Sequence, residues 1–256
     1  MQNRYFGDIG DFGKYGMLRT IINSGLKLGI NWYLYPDESN NDDGKHTSYL
    51  QKDKNRLEIC DAELYSFLKE ANIKSLQGLS RNIRTIEESE LLQNTAFYSD
   101  MLDYKDEHSC IKRVELRKVW HENSILTLKE AEVIFCDPDN GFEVMSVSPT
   151  SKRGGKFILY KEMQKQYNDG KSMVVYNHGP LWFKKGEMVP YIEGICSKIK
   201  EHLGNDVVIA CLRWETTAKR FYFWLIRPEH KELLMSCLDT LSNEPWGKHF
   251  RLVALY

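Results

Sequence analysis

The stretch "AEVIFCDPDNGFE", Ala131 to Glu143, decides the reading of the fold. Its first half is short, β-branched and apolar. That is the mark of a strand buried on both faces. Its second half is a polar turn in which Pro138 fixes φ and Gly141 permits a left-handed residue. A buried strand delivering Asp137, Pro138, Asp139 and Asn140 at its carboxyl end is the arrangement of an open α/β sheet, where ligands lie beyond the strand ends.

The neighbouring segments extend this pattern in both directions. "INWYLY" (30–35), "TAFYSD" (95–100), "SMVVYNHG" (172–179), 206–214, 220–227 and 249–255 read as strands. Helical periodicity recurs at 12–23, 62–71, 86–92, 108–121, 157–168, 188–203 and 229–241. In 108–121 the apolar positions are Ile111, Val114, Leu116 and Val119. Strand and helix alternation predicts one α/β domain over 1–256. Its sheet is expected to be mostly parallel, covered on both faces, with an antiparallel hairpin at one edge. The charged segment 46–92 reads as a helical insertion.

Polar clusters fall where such strands end: Asp37 and Glu38, then Asp137 to Asn140, then Asn177 and His178. The opening "FGDIGDFGKYGMLRTII" (Phe6–Ile22) adds Asp8, Asp11, Lys14 and Tyr15 at the start of a helix. Its glycines allow close backbone approach to a ligand. Asp11 is placed to cap the helix. Lys14 in the first turn opposes the helix dipole, which argues against a purely structural role and for a ligand contact by Lys14 or Asp11. "SKRGGK" (151–156) could meet phosphates. "WETTAKRF" (214–221), with Glu215, Lys219 and Arg220, reads as a solvated turn.

Composition limits the function classes. Net charge is -1, so binding to nucleic acid would need a local basic patch. No apolar run spans a bilayer, and the first residues lack a signal-peptide core. The six cysteines (60, 110, 136, 196, 211 and 237) form no C-x-x-C pair and read as buried thiols of a reducing cytoplasm.

These motifs resemble the bacterial adenine methyltransferases of large-subunit ribosomal RNA. That family opens with G-N-H-A-D-x-x-K-H before a helix, and Gly7, Asp11 and Lys14 coincide with it. Asp8 stands for the Asn and Tyr15 for the His. Asp137 and Pro138 match the start of its later D-P-P-Y. The resemblance implies a Rossmann-like methyltransferase fold, S-adenosylmethionine as cofactor and RNA or DNA as partner. Asp11, Lys14, Tyr15, Asp37 and Glu38 would then face the cofactor. Asp137, Asp139 and Asn140 would be catalytic, and Pro138, Phe142 and His178 would meet the substrate, with Phe142 stacking on its ring. No resident metal is implied. Two departures stand out. The family's glycine-rich cofactor loop is replaced by the acidic "YPDESNNDDG" (35–44), and its second proline is Asp139. A binding protein without catalysis therefore stays open. So does a metal-dependent phosphoryl-transfer enzyme using Asp37, Glu38, Asp137 and Asp139.

Overall fold

In the computed structural model, residues 1–38, 46–52, 54–104, 106–180, 186–216 and 220–256 are described. Gly44 and most of the acidic 35–44 loop, along with Lys219, lie outside them.

The main sheet has seven strands in the order β2-β1-β3-β6-β8-β7-β9. These are β1 (Leu28–Asn31), β2 (Ala96–Tyr98), β3 (Val133–Cys136), β6 (Ser172–His178), β7 (Val208–Trp214), β8 (Arg220–Ile226) and β9 (Phe250–Leu255). A separate two-stranded pair joins β4 (Gly141–Phe142) to β5 (Phe157–Ile158). β2, β1, β3 and β6 run parallel. β8 is antiparallel to both its neighbours, and β9 is antiparallel to β7. The sheet is therefore mixed, not mostly parallel. The hairpin expected at the edge instead inserts β8 between β6 and β7, and β9 adds a further antiparallel edge. "RFYFWLI" suits that inner place because after Arg220 it is aromatic or aliphatic, and all but Arg220 of its residues are buried.

Alternate residues of β3 serve two cores, Val133 and Phe135 on one face, Ile134 and Cys136 on the other. The first face is covered by α1 (Ile9–Asn23), the insertion helices and α9 (Lys231–Ser242). The insertion comprises α2 (Tyr49–Lys52), α3 (Lys54–Leu57), α4 (Ala62–Leu76) and α5 (Arg84–Glu87). It contributes Leu64, Tyr65, Leu68 and Ile86 to the same core as α1. The second face is covered by α6 (Cys110–Thr127), α7 (Tyr160–Asn168) and α8 (Met188–Leu203).

The first strand is shorter than its composition suggests. "INWYLY" leaves the sheet after Asn31, whose Oδ1 accepts the Tyr33 amide at 3.1 Å, and Tyr33 adopts φ 45°. A bulky residue in the left-handed region is strained. Four cysteines are buried as expected, but Cys60 is half-buried and Cys110 is exposed. No helix among the described residues is long and apolar enough to cross a membrane.

The glycines of α1 have a packing role rather than a ligand-facing one. A Cβ on Gly10 would overlap the Arg220 guanidinium, one on Gly13 would lie 2.7 Å from the Trp214 ring, and one on Gly16 would overlap the Trp246 ring. The helix gives up propensity so that these groups can lie against its backbone. Gly16→Ala is therefore expected to destabilise the protein by about 1–3 kcal/mol through overpacking, despite a helix-propensity gain of about 1 kcal/mol. Urea unfolding measures this. An unchanged or raised midpoint would show that the glycine is not there to admit Trp246.

Candidate functional site

Strand order reverses between β1 and β3, since the chain leaves β1 outward to β2 and returns to β3 on β1's other side. The crevice beyond the carboxyl ends of these two strands is the expected ligand position of an open α/β sheet. The opening motif and the Asp-Pro turn meet there. Lys14 Nζ donates to Asp137 Oδ2 at 2.6 Å and to Asp11 Oδ1 at 2.8 Å. All three side chains are buried.

Each member of this cluster is held from below. Asp8, not Asp11, caps α1: its Oδ1 accepts the amides of Gly10 at 2.7 Å and Asp11 at 3.0 Å. Asp11 sits in the first turn, where its Oδ2 accepts the Gly7 amide at 3.1 Å and the Tyr15 hydroxyl at 3.2 Å. Asp8 Oδ2 takes Arg220 Nη2 at 3.0 Å. Arg220 was legible only as part of a solvated turn. The available clue was its place directly before the apolar run of β8.

Burial works on these groups in opposite directions. It tends to raise the Asp8 carboxyl, but the Arg220 guanidinium outweighs it and holds Asp8 below the usual value. Asp11 is raised, because burial and the carboxylates of Asp8 and Asp137 outweigh Lys14. Burial opposes a charged Lys14, yet Asp11 and Asp137 keep it protonated far above neutrality. Asp139 is lowered: burial is outweighed by the Met1 amino group, Gln2 and Lys156.

The other side of the crevice carries a second polar cluster. Gln2 Nε2 donates to Asp139 Oδ2 at 2.6 Å and to Glu38 Oε2 at 3.2 Å. Lys156 Nζ bridges Glu38 at 2.6 Å and Asp139 at 3.5 Å. The Met1 amino group donates to the carbonyls of Asp137 at 2.7 Å and Tyr33 at 3.2 Å, and lies 3.2 Å from Asp139 Oδ1. Met1 and Gln2 are both buried in this crevice.

The remaining expected site residues divide. Asn140 and His178 are adjacent, the His178 amide donating to the Asn140 carbonyl at 3.2 Å. The His178 ring instead pairs its Nδ1 with the Tyr176 hydroxyl at 3.1 Å. Pro138 is buried within the turn. Asp37 is exposed and accepts the Arg4 amide at 3.2 Å, away from the buried cluster. Phe142 does not face a substrate as the resemblance implies. Its ring is 3% exposed, stacked on Tyr160 at 5.2 Å and edge-on to Phe223 at 5.6 Å, so it belongs to the core and presents no face to a base. Asn177 is what braces this turn: its Oδ1 accepts the Phe142 amide at 3.0 Å, and a Cβ on Gly141, at φ 106°, would overlap it.

No family model matches the chain, and no curated protein matches it in sequence. The assignment of function therefore rests on the site's own chemistry. Among the described residues, no group of three His, Cys, Asp or Glu side chains is placed to hold a metal ion. Asp11, Asp137, Asp139 and Glu38 each face a cation of the protein.

Proposed function

We propose that the chain is a methyltransferase-like protein that binds S-adenosylmethionine at the β1–β3 crevice and acts on an amine of RNA or DNA. The observation that carries this reading is the 2.6 Å Lys14–Asp137 pair, which joins the two resembling motifs at the strand-order reversal. The acceptor set fits the cofactor. The carbonyls of Tyr33 and Asp137 and the carboxylate of Asp139 converge on an ammonium in this structure, and an amino-acid ammonium needs such acceptors. Glu38, on the same rim, is suited to accept ribose hydroxyls. A ligand entering here takes the place of Met1 and Gln2. The acidic rim disfavours a nucleotide polyphosphate more than it disfavours a cationic sulfonium.

When bound, the cofactor supplies an electrophilic methyl group. Asp137 orients the acceptor amine by accepting its N–H, which directs the nitrogen lone pair. Lys14 fixes the carboxylate by holding Oδ2. Asp139 and Asn140 shape the turn around it. Lys152 and Arg153 are exposed directly after this turn, and the Lys152 carbonyl accepts the Tyr35 hydroxyl at 3.2 Å, leaning the loop on the crevice rim. Phosphates of a nucleic acid would meet these two cations. The cytoplasm fits such a substrate.

Thermal-shift titration tests the reading, because a ligand at about 100 times its Kd stabilises the native state by about 2.7 kcal/mol. S-adenosylmethionine is expected to raise Tm for wild type and for Asp137→Asn. Methyl transfer to an RNA or DNA pool is expected only from wild type. Stabilisation by Mn²⁺ without any by S-adenosylmethionine would move the assignment to metal-dependent phosphoryl transfer.

A further inference from the structure

α6 is turned inside out. Toward the sheet it buries Arg113, Arg117, Trp120, His121 and Ser124. Toward solvent it exposes Ile111, Val114, Leu116, Val119 and Leu126. The apolar positions of 108–121, Ile111, Val114, Leu116 and Val119, are thus outside. The cause lies beneath the helix: Arg117 Nε donates to Glu162 at 2.6 Å, and its other nitrogens reach the Gly154 and Phe157 carbonyls. This network occupies the inner face and fixes the helix rotation.

The exposed stripe borders a groove of about 650 Å³ between α6 and the segment after β2. Its apolar floor includes Met101, Leu116, Val119 and Trp120. Around that floor stand Asp100, Glu107 and Glu115, and among the described residues lining it Lys112 is the one cation. Three carboxylates beside one ammonium are a local excess of negative charge on a chain whose net charge is only -1. An exposed apolar patch with a polar rim marks an interaction surface.

We propose that this groove docks an amphipathic helix of a partner protein, with Leu or Ile on one face and Lys or Arg on its flanks. The charge pattern selects this occupant. A second copy related by a two-fold axis would set the acidic rim against itself, which like-charge repulsion opposes. Nucleic acid and anionic membrane surfaces are repelled for the same reason. A basic helix matches both features, its apolar face meeting the floor and its cations meeting the rim. The 18-residue α6, about 27 Å long, offers several turns of parallel surface. The surface is on the helix layer and does not depend on what binds the crevice.

The probe is a synthetic Leu/Lys peptide of about 14 residues with its leucines on one helical face, beside a Leu/Glu peptide of the same pattern. Fluorescence anisotropy at low salt is expected to show the Lys peptide binding the wild-type chain and the Glu peptide failing to. Leu116→Ser with Val119→Ser is expected to weaken binding by about tenfold or more, and Asp100→Lys with Glu115→Lys to invert the preference between peptides. All four positions are exposed, so unchanged thermal melts serve as the folding control. Hydrogen exchange should localise protection to α6. Absence of Lys-peptide binding at about 1 mM, or binding that neither double variant changes, overturns the proposal. So does a wild-type dimer that Leu116→Ser with Val119→Ser dissociates.

Discussion

Lys14→Met is expected to cost about 3–5 kcal/mol of stability, among the largest effects of any single substitution in this chain. The methionine keeps the unbranched chain as far as Cε, with sulfur in place of Cδ, and removes the ammonium. Asp11 and Asp137, both almost completely buried, would then share a dry site with no cation between them. Neither can gain water without opening the crevice, so the variant is left with uncompensated buried charge, and Asp11, already raised by burial, loses the cation that opposes that rise. The triple variant Lys14→Met, Asp11→Asn, Asp137→Asn removes the stranded charges as well, and it should recover a large part of the loss. Urea unfolding of the single and triple variants reads this directly. A triple variant no better than the single one would show that Lys14 stabilises through packing on Tyr15 and Trp32, whose rings lie 5.9 Å from its Nζ, and not through charge.

Arg117→Met should produce a loss of similar size on the opposite face of the sheet, again about 3–5 kcal/mol, by stranding Glu162. Here pH supplies a second readout. Burial tends to raise the Glu162 carboxyl, but Arg117 outweighs it and holds Glu162 below its usual 4.5. A carboxyl lowered in the folded state stabilises above its unfolded pKa, and that contribution fades as pH falls through the folded value. Wild type should therefore lose this contribution on acidification below about 4.5. In Arg117→Met the same carboxyl has lost its dominant partner and burial raises it, so its proton uptake accompanies folding and acid favours the native state. The difference in stability between the two proteins should shrink as pH falls from neutrality toward 4. A difference that stays constant over that range would show that the arginine acts through its carbonyl contacts alone.

These two buried cations show where sequence reading succeeds and where it stops. Lys14 stood out because a cation in the first turn opposes the helix dipole, which pointed to a ligand; its partners in the structure are instead Asp137, at a strand end, and Asp11 of its own helix. Arg117 was not legible. Nothing local on its helix marks it for burial, and only the tertiary position of Glu162 on α7 draws the arginine inward. The strands were recovered from their apolar runs, but their pairing was not. Nothing local in "RFYFWLI" or "DVVIACLRW" says which of them lies beside β6, because both are apolar enough for an inner place. Phe142 was misread for a related reason. An aromatic in a polar turn looks like a ligand contact until Tyr160 and Phe223 are seen against its ring. The α1 glycines were read as room for a ligand, whereas their bulky neighbours, Arg220, Trp214 and Trp246, are brought there from the far end of the chain.

The central claim is that the β1–β3 crevice holds S-adenosylmethionine. Hydrogen–deuterium exchange of the wild-type chain with and without millimolar S-adenosylmethionine tests it without a mutation that could unfold the protein. The claim predicts added protection in Trp32–Glu38 and Asp137–Gly141, the two segments that leave the ends of β1 and β3. Exchange unchanged by the cofactor, or protection that falls elsewhere and spares both segments, would contradict it.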